Sequence, residues 1–320
     1  MDRVRACAEG DLAGAAALAG AYPYGHWTLL PEDARAVMAA RLERGWQTCA
    51  DGDFVLDAGR GPEALLRARM LDWDSDFFGF PCGTLSFVHA RGDGPARLGA
   101  YRELLPRAAR WFRARGARFV TVKCDSRDTA LVQALTEAGC RMVEVQVNLW
   151  HDLARIPAPG LAPGFALRAS RDEDLPALRD VSAASRWDRF HADHAFPAGL
   201  TDAFRRTWIG NLHASASDEV LVAEADGRAA GFVTTRLDPQ MQAGQIKLVG
   251  VAPASRARGL GTALVLRALE SMRGRAVRML VQTQASNCES VRLYLKAGFA
   301  WAPSGATFHW WSPGAAPGAA

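Results

Sequence analysis

The stretch Arg256-Ala257-Arg258-Gly259-Leu260-Gly261-Thr262 sets two arginines and two glycines between an apolar strand and an apolar helix. Lys247 to Val251 reads as a short strand, and Pro253 stops it because proline has no N–H for a ladder. From Thr262 onward Leu264, Ala268 and Met272 recur at every fourth position, the apolar stripe of a core-facing helix. Glycines at the junction allow a tight turn and a close approach of backbone to ligand. The N–H groups at a helix start lack intrahelical partners, and the helix dipole favours negative charge there. With two guanidiniums added, the arrangement predicts a pyrophosphate cradle.

A second chemical constellation follows. Leu280 to Gln284 reads as a strand that turns polar at its end, and Ser286-Asn287-Cys288-Glu289 fits a capping box with Ser286 as N-cap. The helix it opens runs to Ala297, with Gly298 at its C′ position. Asn287 and Tyr294 fall on one face of that helix. Both helix starts then lie at the carboxyl ends of neighbouring strands, where an α/β sheet holds its ligand.

The elements that position these residues occur twice. Val4 to Leu18 resembles Leu167 to Val181, and Val120 to Cys140 resembles Leu280 to Phe299. In the second alignment Asp128 falls on Asn287, Gly139 on Gly298, and Leu135 on Tyr294. Between the repeats lies the Pro/Gly-rich stretch 153–164. The expected organisation is a first α/β domain over 1–152 without a cradle, a linker over 153–164, a catalytic domain over 165–311 and a disordered tail over 312–320.

Composition narrows the function. At 49% hydrophobic and 22% charged, the 320 residues suit a globular protein with a packed core. A formal net charge of +4 without dense Lys/Arg tracts argues against nucleic acid and suits a small anionic ligand. The six cysteines are scattered, with no Cys-x-x-Cys pair, which reads as free thiols in a reducing compartment. Asp2, Glu9 and Asp11 break any signal-peptide pattern, and no apolar run is long enough to span a bilayer. A cytoplasmic location is expected. Asp72, Asp74 and Asp76 alternate, but an EF-hand loop would need glycine and glutamate where Phe77 and Gly83 stand. His191 and His194 have no third ligand in view, so no metal is expected.

These residues resemble the GCN5-related N-acetyltransferase (GNAT) superfamily: Val251-x-Pro253-x-x-Arg256-x-Arg258-Gly259-x-Gly261, then Asn287, then Tyr294 ahead of Gly298-Phe299. The resemblance implies two tandem GNAT-like domains of α/β class, each a mixed, mostly antiparallel sheet flanked by helices. It implies acetyl-CoA on the loop Arg256, Ala257, Arg258, Gly259, Leu260, Gly261 and Thr262, with its pantetheine arm along Leu248, Val249 and Val251. Asn287 would lie beside it, and Tyr294 would give a proton to the departing thiolate.

Further pieces, Leu71 to Phe80, Ser185 to Phe190, Phe204 to Asn211 and the closing Phe308-His309-Trp310-Trp311, resemble the dTDP-fucosamine acetyltransferases. That implies a nucleotide-linked amino deoxysugar as acceptor. Arg186 and Arg189 are then candidates to hold the nucleotide diphosphate, and Phe78 to wall the sugar. His191 and Glu224 are candidate general bases. Alternatives are a small non-sugar amine as acceptor, or a non-catalytic CoA-binding protein. A homodimer is a further expectation.

Overall fold

The computed structural model describes residues 3–24, 32–57, 59–158, 160, 164–216 and 218–313. The expected tail lies outside the described residues from 314 on, as do 159 and 161–163 of the expected linker. The chain divides into two compact units. Among the described residues, unit 1 holds the chain up to Val145, Asp193–Ala195 and the stretch from Pro303, while unit 2 holds Gln146–Ala192 and Phe196–Ala302.

Unit 1 runs through β1 (Val4–Ala6), α1 (Leu12–Gly20), α2 (Glu32–Arg44), β2 (Asp53–Asp57), β3 (Pro62–Met70), α3 (Asp72–Phe78), β4 (Cys82–Ala90), α4 (Gly94–Ala114), β5 (Phe119–Asp125), α5 (Thr129–Glu137) and the start of β6 (Arg141–His151). Unit 2 runs through β7 (Ala166–Ala169), α6 (Leu175–Ala183), α7 (Arg189–Ala192), α8 (Ala198–Ala214), β8 (Asp218–Ala225), β9 (Arg228–Asp238), β10 (Ala243–Val251), α9 (Leu260–Met272), β11 (Arg278–Gln284) and α10 (Cys288–Lys296). The last strand is β12 (Ala300–Trp311).

Each unit is a mixed, mainly antiparallel sheet flanked by helices, and the two share a topology. In unit 1, β1 to β4 pair antiparallel in sequence, β4 pairs parallel with β5, and β5 pairs antiparallel with β12. In unit 2, β7 to β10 pair antiparallel, β10 pairs parallel with β11, and β11 pairs antiparallel with β6. Each unit therefore takes its final strand from beyond the boundary that the repeats suggested. In unit 1 the buried carboxylate of Asp193 accepts from His309 Nδ1 at 2.8 Å and Trp311 Nε1 at 2.9 Å, which fixes that short stretch against β12.

Both repeats show the same local chemistry. Asp128 caps α5 by accepting from Leu131 N at 3.2 Å, and Asn287 caps α10 by accepting from Ser290 N at 3.2 Å. The N-cap is thus Asn287 and not Ser286, because the amide oxygen one residue later reaches the free N–H of the first turn. Both helices end in a left-handed glycine, Gly139 at φ 80° and Gly298 at φ 94°. Cys140 N donates to Leu135 O at 2.9 Å, and Phe299 N donates to Tyr294 O at 3.0 Å, the double closure of a Schellman motif. At the other corner, Arg5 clasps Asp11 and Asp57, and Arg168 clasps Asp174 and Glu224 in the matching place.

The cores follow from strand alternation. In unit 2, Ile246 packs with Leu264, Val265, Met272 and Tyr294 on one face, while Leu248 packs with Leu178, Ile209 and Phe232 on the other. Residues two apart share a face in a regular strand, so a β-bulge must lie at Lys247. The register of β10 on β9 shifts there. Helix α7 is held to α8 by His191, whose Nδ1 lies 2.8 Å from Asp188 Oδ2 and whose Nε2 lies 3.0 Å from Asp202 Oδ1. Burial alone lowers this imidazole's pKa, but the hydrogen bonds and charges of Asp188 and Asp202 outweigh it, and the net direction is up.

Two stability predictions follow from these contacts. Asp128 is fully buried, and besides its cap it accepts from Tyr101 Oη at 2.7 Å. Asp128→Ala strands a buried hydroxyl and an uncapped helix, costing about 2–4 kcal/mol in urea denaturation, whereas Asp128→Asn keeps the cap and costs less than half of that. Equal costs would show that the cap is immaterial. For His191, a folded pKa raised above the unfolded value of about 6.5 gives stability that is full below that value and fades as pH rises through the folded one. The melting deficit of His191→Gln is therefore largest near about pH 6 and shrinks toward roughly pH 9; a deficit independent of pH would show that the ring acts only by packing.

Candidate active site

Strands β10 and β11 run paired only as far as Ile246 and Val281. Beyond that point β11 continues along β6 to Gln284, while β10 continues along β9 to Val251. The bulge at Lys247 starts this parting, and Leu248 N is caught by Thr234 Oγ1 at 2.9 Å. Ala252 N donates to Ala230 O at 2.8 Å, again on the β9 side. Alternation along the strand then turns the N–H groups of Val249 and Val251 the other way, toward the space that β11 has left. That space is a cleft of about 340 Å³ within unit 2.

The loop from Arg256 to Thr262 closes one end of the cleft. Its backbone turns left-handed at Ala257 (φ 60°) and again at Gly259 (φ 75°). Gly259 is the N-cap of α9 and offers no side-chain acceptor, and the first intrahelical bond is Ala263 N to Gly259 O at 3.1 Å. The N–H groups of the first turn receive no side-chain cap and stand at the positive end of the helix dipole. Gly261 has a different role. A Cβ there would lie 2.9 Å from Leu293 Cδ1, so glycine lets the start of α9 approach α10 closely.

The two guanidiniums behave differently from each other. Arg256 lines the cleft, and its Nε donates to Val251 O at 3.2 Å and an Nη donates to Ala184 O at 3.4 Å, lashing the loop to the end of β10. Arg258 is not among the lining residues, and its guanidinium lies over the Phe165 ring at 4.5 Å. Leu248 is not among the lining residues, and its N–H is taken by Thr234 Oγ1 on the β9 side, whereas Leu260 lines the cleft although nearly all of it is buried.

Tyr294 and Asn287 both line the cleft from α10. The Tyr294 ring is 5% exposed and meets Phe299 edge-on at 5.5 Å. Burial pushes its phenol pKa upward, which keeps the hydroxyl protonated at neutral pH. Ser185, Trp187, Glu289, Ser290 and Leu293 also line the cleft; the sequence had placed Ser185 and Trp187 only within a resembling stretch and Glu289 only in a capping box, and gave none of the five a role in the site. A signal for two of them existed, since the repeat register sets Ser185 and Trp187 opposite Tyr22 and Tyr24.

The other candidate residues lie elsewhere. Glu224 is 2.5 Å from Arg168 Nε in the corner ion pair, and both ring nitrogens of His191 are engaged by carboxylates. Neither lines the cleft. Arg186 is exposed between the lining residues Ser185 and Trp187, while the Arg189 guanidinium lies 4.3 Å from the Phe190 ring centre. Phe78 belongs to unit 1, where it ends α3 and stacks on Phe80 at 5.8 Å, 5% exposed.

Unit 1 repeats the strand geometry with different side chains around it. Strand β4 bulges at Ser86 and pairs with β5 only through Leu85 and Val122. At the corresponding helix start, Asp93 caps α4 and accepts from Ala96 N at 3.0 Å, so a carboxylate takes the N–H that Gly259 leaves open in unit 2. Tyr22 packs on His89 at 5.1 Å and Phe87 at 5.3 Å, and Tyr24 lies 5.5 Å from the Arg97 guanidinium.

Comparison with known proteins agrees with this geometry. Residues 184–299 match the acetyltransferase (GNAT) family. A mycothiol acetyltransferase of Cellulomonas flavigena is 34% identical over 189 residues, covering 52% of this chain and 50% of that protein. The chain spans about half the length of the curated relatives it matches. A GCN5-related N-acetyltransferase of known structure from Sphaerobacter thermophilus shares the fold with a TM-score of 0.63 at 18% identity, over 96% of this chain and 95% of that one. A tandem GNAT protein from the clavulanic acid biosynthesis pathway does so with a TM-score of 0.58 at 17% identity, over 96% and 98%. The curated relatives carry the name mycothiol acetyltransferase, where the sequence resemblance had pointed to dTDP-fucosamine acetyltransferases. Cleft, parted strands and family match coincide on the same part of the chain: the stretch 184–299 is similar to the acetyltransferase (GNAT) family.

Proposed function

We propose that unit 2 transfers an acetyl group from acetyl-CoA to the primary amine of a small molecule. The observation that carries this reading is the cleft where an uncapped helix start, a strand edge without a partner and a buried phenol meet. The residues fit acetyl-CoA. The first-turn N–H groups of α9 suit a diphosphate, and the open edge at Val249 and Val251 suits an amide-bearing arm laid down as an added strand. When bound, acetyl-CoA supplies a thioester carbonyl as electrophile. In this reading the Val249 N–H polarises that carbonyl oxygen, and the Tyr294 hydroxyl donates to the sulfur as it departs. Glu224 and His191 are already engaged in ion pairs, so we leave the proton of the incoming ammonium to solvent.

For the acceptor, the name of the curated relatives supports an amine of the mycothiol acetyltransferase type. The second reading is a nucleotide-linked amino sugar, which the exposed Arg186 beside the cleft favours. Unit 1 is read as a non-binding copy, because the Asp93 carboxylate stands where a phosphate would have to sit.

Each element of this reading has a measurement. Thiol release with a panel of amines sorts the acceptors, and failure to release thiol with every amine would leave a CoA-binding protein without transfer. Calorimetry should find a single acetyl-CoA site per chain, and a second site would overturn the reading of unit 1. Gly259→Val forces a β-branched residue into a left-handed conformation and should weaken CoA binding by roughly 10-fold or more. Tyr294→Phe keeps the ring and removes the donor. It should lower kcat by about 10²–10⁴-fold with KM for acetyl-CoA and Tm nearly unchanged. Near-normal turnover would remove Tyr294 from the chemistry.

A further inference from the structure

Outside the cleft, two thiols in unit 1 meet. Cys7 directly follows β1, and its N–H donates to Asp53 O at 2.8 Å, extending the ladder by one residue. Cys49 lies in the turn ahead of β2, and its Sγ is 3.0 Å from Cys7 Sγ. Both are free thiols and both are half-buried. A disulfide bond is ~2.04 Å long, so small side-chain rotations separate this pair from bonding distance.

The repeat shows what the corner needs without sulfur. In unit 2, Ser170 holds the place of Cys7: its N–H donates to Val220 O at 2.9 Å, and its Oγ meets His213 Nδ1 at 3.1 Å. The same backbone corner is thus closed by a hydroxyl and an imidazole. Packing and hydrogen bonding do not require two cysteines here.

We propose that Cys7 and Cys49 form a reversible disulfide site, closed by exchange with a small-molecule disulfide and reopened by a dithiol. Burial, then the hydrogen bond and charge of Cys49, push the Cys7 thiol up to about 12, which makes Cys7 a poor attacking thiol. Cys49 loses its proton to solvent, and its thiolate attacks one sulfur of the small disulfide. The S–S bond of that molecule breaks and one thiolate leaves, giving a mixed disulfide on Cys49. Cys7 sulfur then attacks Cys49 sulfur, and its proton goes with the second small thiol. Both cysteines are oxidised and the small disulfide is reduced to two thiols. The new bond ties the end of β1 to the turn before β2 and closes α1 and α2 into one covalent loop.

The test uses the full chain and oxidised glutathione. Peptide mapping should recover a Cys7–Cys49 cross-link, the intact mass should fall by two hydrogens, and dithiothreitol should reverse both. Closing the loop restricts the unfolded chain and should raise Tm by roughly 5–10 °C. Cys7→Ser and Cys49→Ser should each abolish the rise, and Cys288→Ser should keep it. The map on the unmutated chain decides the matter even if a serine variant misfolds. A glutathione adduct that persists on Cys49, a cross-link between other cysteines, or unreacted thiols at both positions would overturn the proposal.

Discussion

Everything the cleft offers depends on the bulge at Lys247. A regular strand would carry Ile246 and Leu248 on one face and keep β10 hydrogen-bonded to β11 along its length. Inserting a residue against β9 flips the alternation, with Thr234 Oγ1 taking over the N–H that loses its partner. The strand bends away, its far edge is left without a neighbour, and α9 begins at the mouth of the gap. The glycines follow from this. Gly259 must turn left-handed where β10 hands over to the helix, and Gly261 must be small where α9 crosses Leu293.

The two units show what one scaffold keeps in both copies and what it changes between them. Bulge, parted strands, capped second helix and Schellman glycine occur in both. What differs is the charge at one helix start and the bulk nearby. Asp93 satisfies in unit 1 one first-turn N–H of the kind that Gly259 leaves open in unit 2, and a fixed carboxylate repels a second anion. Leu135 and Tyr22 supply apolar and aromatic volume in unit 1, where unit 2 has Tyr294 and Ser185.

The corner ion pairs carry the same lesson about carboxylates. Glu224 stands at a strand end beside a catalytic-looking repeat, yet Arg168 holds it just as Arg5 holds Asp57 in the other unit. A residue with the same partner in a unit lacking the cradle is part of the scaffold. His191 reads similarly, because a ring with a carboxylate on each nitrogen has no lone pair to offer as a base.

The sequence by itself determined the local chemistry. Apolar periodicity located α9, the Arg256–Thr262 run located the helix start that faces the cleft, and the spacing of Asn287, Tyr294 and Gly298 located α10 with its C-terminal turn. These are signals within a few residues of chain, where hydrogen-bond rings and glycine conformation are decided. Tertiary structure decided the rest. Which strand closes each sheet is set by long-range pairing, so β12 in unit 1 and β6 in unit 2 cross the boundary that composition suggested. The orientation of Arg258 onto Phe165 and the meeting of Cys7 with Cys49 join side chains far apart in sequence, and no local pattern encodes such contacts. The bulge is of this kind too: its residue types are ordinary, and only the register against β9 reveals it.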